Sequence, residues 1–322
     1  MRSPKNRIQY GLFFYCILLG TCINSCSNHY NTIPEDAILN INGIEPSRVF
    51  LHVVDDTVNR SEFYYGEKVF FEFENIKGLE KIDSLVYPGM SMLVLQGEDT
   101  ILNEPDIFPE LSEGTSINNL TLSSYMRMIF SYRENPNFLL AIKIWDKKGA
   151  NTCSFQMPFS IKPNDNFDLT EEGLSYKAVY FFDEKNDQSI NSNRFYQNSK
   201  ILLQYEDVAG FGDSAGIIFP SYELRIADSL GHVMAQNKNL FEDFSQTGIS
   251  IQNFKDIFPL EFKIKKGLSS GTAYYEGILR DTRTQNFIRI KTKLFILPEE
   301  TKTRQSPENL VKIHKSAASK TS

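Results

Sequence analysis

The sequence predicts an all-β protein built as two tandem antiparallel β-sandwiches, and three observations carry that prediction. The first is the aromatic balance. Among 322 residues there are 25 Phe and 15 Tyr but one Trp and four His. Phe and Tyr suit the pleated, half-buried surface of a strand, and few imidazoles remain for acid–base work. The second is periodicity. Glu223-Leu224-Arg225-Ile226 and the run Arg289 to Leu294 alternate polar and apolar, as half-buried strands do. Pro88-Gly89, Lys148-Gly149, Leu230-Gly231 and Lys266-Gly267 mark turns between such runs. No long segment sustains the 3.6-residue period of a helix. The third is that a long unit occurs twice, in the same order.

The repeat runs through five matches. Arg48 to Asp56 aligns with Tyr176 to Glu184, each an apolar strand ending in two acids. Gly66 to Gly78 aligns with Asn198 to Gly210, pairing Lys68 with Lys200, Glu74 with Glu206 and Gly78 with Gly210. Ser91 to Leu95 aligns with Tyr222 to Ile226, and Asp106-Ile107-Phe108 with Asn239-Leu240-Phe241. Leu139 to Asp146 aligns with Tyr274 to Asp281, and Asn151 pairs with Asn286. The expected organisation is a signal segment over 1–25, a flexible tether over 26–45, sandwich one over 46–163, a linker over 164–175, sandwich two over 176–298 and a disordered tail over 299–322. Pro163, Asn164, Asp165 and Asn166 suit the linker because none of them favours a central strand.

Composition excludes several classes. The 34 Lys and Arg against 40 Asp and Glu give a net charge of −6, which offers no global attraction to nucleic acid. Apolar residues at 41% and charged residues at 23% are ordinary for a folded chain.

The N-terminus reads as a targeting segment. Arg2, Lys5 and Arg7 precede the apolar run Tyr10 to Ile23, which is shorter than the roughly 20 residues a bilayer span needs. The run ends in Asn24-Ser25-Cys26-Ser27. A small residue before a Cys at this place resembles the lipobox of bacterial lipoproteins. The resemblance implies cleavage before Cys26, acylation of its thiol, and sorting to the outer membrane of the cell envelope, facing either the periplasm or the cell surface. Cys22 is the alternative acceptor. Loss of Cys16 and Cys22 with the signal and acylation of Cys26 would leave Cys153 as the one free thiol, so no internal disulfide is expected. Cys153 lies in a strand run without a neighbouring His and reads as a buried, inert thiol.

The end of each unit resembles the last hairpin of bacterial Ig-like domains. Asn137 to Asn151, followed by Phe159 and Ile161, has an alternating strand, an Asp, a turn and a closing strand. The second unit adds Gly271-Thr272-Ala273-Tyr274 before Asp281. The resemblance implies Ig-like sandwiches and nothing about chemistry.

Catalytic signatures weigh little. Gly212-Asp213-Ser214-Ala215-Gly216 is similar to the nucleophile segment of chymotrypsin-like proteases, but no His stands in a matching setting, and a serine without a base is a poor nucleophile. No catalytic residue, metal site or cofactor is expected, and the protein is read as not an enzyme. Asp165, Asn166, Asp168 and Glu171 bunch oxygen atoms that calcium could use, although Asp and Asn also simply form turns. Asp-(Ser/Thr)-apolar occurs at Thr57, Ser84, Thr100, Ser214 and Ser229, resembling an O-glycosylation motif of some Gram-negative anaerobes. Trp145, beside a turn, is the first candidate for ligand binding. Tyr64, Tyr65, Tyr274 and Tyr275 are further aromatic candidates, one of each pair expected in the core. The expectation is a membrane-anchored binding or structural module with a protein or glycan partner in the envelope. Two alternatives are a glycan-binding accessory lipoprotein of an outer-membrane uptake system and a fimbrillin-like pilus subunit processed at Arg48.

Overall fold

The computed structural model describes residues 32–54, 56–116, 119–185, 187–212, 215–257, 260–263 and 271–298, with the backbone of 313–316. The targeting segment with Cys22 and Cys26, the acceptor Ser214 and most of the tail lie outside these residues.

The first unit contains β1 (Ile38–Asn42), β2 (Arg48–Val53), β3 (Asp56–Val58), β4 (Glu62–Tyr64), β5 (Lys68–Glu74), β6 (Pro88–Gln96), β7 (Asp99–Glu104), β8 (Leu122–Arg127), β9 (Asn137–Asp146) and β10 (Thr152–Lys162). The second contains β11 (Phe167–Glu172), β12 (Ala178–Asp183), β13 (Gln188–Ile190), β14 (Arg194–Tyr196), β15 (Lys200–Glu206), β16 (Ile217–Ile218), β17 (Pro220–Asp228), β18 (Val233–Asn237), β19 (Ile249–Ser250), the short helix α1 (Ile251–Ile257), β20 (Leu260–Lys263), β21 (Gly271–Asp281) and β22 (Phe287–Leu297).

Each unit is a two-sheet sandwich with the same topology. The larger sheets run β1-β10-β9-β6-β7 and β11-β22-β21-β17-β18, with β4 and β14 added in parallel to β10 and β22. The facing sheets run β8-β5-β2-β3 and β20-β15-β12-β13. A last strand, β23 (Ile313–Ser316), lies parallel to β8.

Alternation builds the cores. On β9, Phe138, Leu140, Ile142 and Ile144 point inward, while β10 contributes Cys153, Phe155, Met157, Phe159 and Ile161. Phe73 of the opposing sheet meets Phe155 edge-on at 6.1 Å. In the second core Phe181 is fully buried and meets Phe195, Tyr275 and Phe167 edge-on at 5.1, 6.0 and 5.1 Å.

The structure moves several expected boundaries. β1 falls inside the expected tether and β11 inside the expected linker. Both are edge strands with mostly exposed side chains, so the hydrophobic period that betrays a strand is diluted. The pairing also shifts the repeat. Arg48 and Ala178 stand opposite Glu74 and Glu206 respectively, two residues from the alignment read in the sequence, a slip that keeps the same side chains inward. Met90 and Tyr222 correspond, since their carbonyls accept from Ile107 N and Leu240 N. That slip is one residue and would reverse the faces of a strand.

Phe181→Ala empties the second core at its most contacted ring and should lower stability by about 3–5 kcal/mol, read as a reduced urea midpoint.

Candidate functional site

The Asp and Asn of each closing hairpin form a structural latch. Asp146 Oδ2 accepts from Glu80 N at 2.6 Å and Oδ1 from Lys148 N at 3.0 Å. In the second sandwich Asp281 Oδ2 accepts from Gly212 N at 2.6 Å and Thr284 Oγ1 at 2.8 Å, and Oδ1 from Arg283 N at 2.9 Å. Asn151 Nδ2 donates to Gly78 O at 2.7 Å and Asn286 Nδ2 to Gly210 O at 3.0 Å. Gly78 and Gly210 have φ of +87° and +92°, and a Cβ on either would strike the carbonyl oxygen of Gly43 or Gly173. The buried carboxylates thus satisfy backbone amides of a crossing loop. Gly212, the first residue of the protease-like segment, is one of those amides.

The other sequence candidates are dispersed. Cys153 is buried in β10 opposite Ile144 and Ile41, and burial pushes its thiol up to about 11. Asp165 pairs with Lys162 at 2.7 Å, and Asn166 Nδ2 donates to Asn191 O at 2.8 Å. Among the described residues no three His, Cys, Asp or Glu side chains converge where a metal ion could sit. Thr57, Ser84, Thr100 and Ser229 are all exposed, on β3, in the turn before β6, on β7 and in the β17–β18 turn. Arg48 lies within β2, its backbone opposite Glu74, with β1 preceding it.

Trp145 is half-buried at the end of β9, opposite Gly89. A Cβ at position 89 would stand 2.3 Å from Cε2 of the indole, so the ring lies against bare backbone. Tyr65 and Tyr275 are buried, Tyr64 half-buried and Tyr274 exposed. The period of two separates each pair.

A polar cluster that no sequence motif marked joins the two sandwiches. Tyr65 OH donates to Glu206 Oε2 at 2.5 Å, and Tyr180 OH to Oε1 at 2.6 Å. Tyr132 OH donates to Lys177 O at 3.3 Å. The rings of Tyr132 and Tyr180 stand 5.5 and 5.7 Å from that of Tyr65. Arg127 and Lys68 of the first sandwich clasp Asp187 of the second at 2.7 and 3.0 Å. Burial, and then the Glu206 charge, hold the Tyr65 and Tyr180 hydroxyls far above the usual tyrosine range. They therefore act as neutral donors to a carboxylate. Charge-assisted bonds of this type each contribute about 1.5–3 kcal/mol.

A second tyrosine cluster fills the second core. Tyr222 OH stands 3.1 Å from Tyr205 OH and 2.9 Å from Tyr275 OH. Burial raises all three well above the ordinary value.

Four outcomes follow from this geometry. Tyr65→Phe should cost about 1.5–3 kcal/mol, and Tyr180→Ala should split one calorimetric unfolding transition into two by uncoupling the sandwiches. Alkaline titration has a defined sign. Above pH ~10 the unfolded chain gives up tyrosine protons that the folded chain keeps, so stability is present below that pH and falls as pH rises. Tyrosinate absorbance of the buried rings should then appear together with unfolding. Cys153 should resist alkylation at neutral pH until denaturant is added.

No family model matches this chain, and no curated protein matches it. Among solved structures, the chain is similar to one described as the crystal structure of the C-terminal domain of wzt, with a TM-score of 0.30, 8% identity, and coverage of 40% of this chain and 79% of that one.

Proposed function

We propose that the protein is an exported lipoprotein of the bacterial cell envelope that acts as a binding or structural module rather than an enzyme. The observation that carries this reading is the junction. Tyr65, Tyr180 and Glu206 join two sandwiches of the same topology, so outward surfaces on both are presented in a fixed relation. The buried side chains of Asp146, Asp281 and Asn193 are engaged in holding loops and sheets. Such a body suits display of a recognition surface.

The address rests on Arg2, Lys5, Arg7, the apolar run to Ile23 and the lipobox-like Asn24-Ser25-Cys26. Acyl chains on Cys26 would supply stable membrane attachment, since more than one chain is needed for that. No helix among the described residues is long and apolar enough to cross a membrane.

The test is incorporation of labelled palmitate in a Gram-negative host, followed by fractionation. Cys26→Ala should abolish the label and release the protein from the membrane fraction, while Cys22→Ala should leave both unchanged. Label lost only in Cys22→Ala moves the anchor to that residue. Wild-type protein that takes no label and stays soluble overturns the anchored reading.

A further inference from the structure

The outer face of the larger sheet in the second sandwich carries a row of rings that the first sandwich lacks. Tyr274 on β21 is 49% exposed, Phe295 on β22 is 37% exposed and Tyr196 on β14 is 43% exposed. Their buried chain neighbours Tyr275, Ile296 and Phe195 face the core, so the three rings share the opposite face. Register fixes their relation. Tyr274 stands opposite Lys293 and Thr272 opposite Phe295. Arg194 stands opposite Phe295 and Tyr196 opposite Leu297. Each ring is therefore one strand across and two residues along from the last, a diagonal of about 8 Å per step. Across Ala227, the row extends to the exposed Val233.

The shared topology provides an internal comparison. The positions of Tyr274, Phe295, Lys293 and Arg194 are held in the first sandwich by Leu139, Ser160, Pro158 and Glu62. The counterpart of Tyr196 is Tyr64, which is half-buried where Tyr196 is exposed. The second sandwich thus gains two exposed rings and two cations on one face, one of them in place of an acid.

Charge identifies the ligand class. Lys293 lies 5.0 Å over the Phe295 ring, and Arg194 is the cross-strand neighbour of the same residue. Of the carboxylates on this face, Glu276 engages Lys291 and Arg289 at 3.5 and 3.8 Å, while Glu223, Asp168 and Glu172 stand opposite Ile278, Lys291 and Phe287 rather than opposite a residue of the ring row. A locally positive strip on a chain of net charge −6 fits an anion. Exposed π-faces in a line fit flat apolar surfaces repeated along a polymer, and the C–H faces of pyranose rings are such surfaces, their partly positive hydrogens drawn to the negative ring face.

We propose that this strip binds an extended acidic polysaccharide, with sugar faces stacked on Tyr274, Phe295 and Tyr196 and the acidic groups paired with Lys293 and Arg194. The proposal deepens the binding-module reading and rests on it.

Calorimetric titration of the full chain with polygalacturonate, against neutral dextran, tests it. Polygalacturonate should bind and dextran should not, with affinity falling as salt screens the cations. Tyr274→Ala and Phe295→Ala should each weaken binding about tenfold. Arg194→Glu, which installs the charge found at the first-sandwich position, should weaken it at least as much without moving the thermal transition. Leu139→Ala should change nothing. Absence of binding to either polymer, equal binding of dextran, or binding solely to anionic phospholipid vesicles would overturn the proposal. Envelope attachment is read independently by the palmitate label. Label without polysaccharide binding condemns the strip alone, and polysaccharide binding without label condemns the anchor alone.

Discussion

Strand β12 has to be buried on both faces, and the relation between the two sandwiches depends on that constraint. Its residues Ala178-Val179-Tyr180-Phe181-Phe182 are apolar throughout. Val179 and Phe181 fill the second core, while Tyr180 and Phe182 pack against the first. Left alone, the second sandwich would expose that outer face to water. The first sandwich covers it with Tyr65 and Tyr132, and Glu206 accepts the two buried hydroxyls that such packing would otherwise strand. The hydrophobic term brings the sandwiches together, and the carboxylate makes the arrangement specific.

The two copies share a skeleton and differ in what they place on it. Both use a buried Asp and an Asn side chain to tie the last hairpin to a crossing loop, and both need a glycine where that loop passes close to backbone. Both open a 3₁₀ turn with an Asx residue, Asp106 holding Phe108 N and Asn239 holding Phe241 N. The cores diverge. Tyr205, Tyr222 and Tyr275 bring a hydroxyl network to positions where the first copy has Phe73, Met90 and Leu140. The outer faces diverge as well, with rings and cations concentrated on the second copy. Duplication supplied a scaffold whose surfaces could change independently, because exposed positions on a strand carry little of the folding energy.

Some of this was legible early because it is local. Asp281 and Asn286 stood out by spacing, and the bonds of Asp281 with Arg283 N and Thr284 Oγ1 are turn chemistry within a few residues, whereas its bond with Gly212 N and that of Asn286 with Gly210 O reach across the fold. Tyr64-Tyr65 and Tyr274-Tyr275 could be split into inner and outer members by alternation alone. β1 and β11 were hidden, since an edge strand with polar side chains has the composition of a linker. The junction was hidden for a different reason. Tyr65 and Glu206 are 141 residues apart, and nothing near either one marks it as a partner.

The sequence by itself determined the β class and the repeat, because period-two burial and turn signals are written in neighbouring positions. Tertiary structure decided the register of the repeat, the face each ring takes and the union of the sandwiches. Those depend on which strands lie side by side, and strand pairing is settled by contacts between residues far apart in the chain. The aromatic row is the clearest instance. Tyr196, Tyr274 and Phe295 belong to three separate strands, and only the pairing of those strands makes them neighbours.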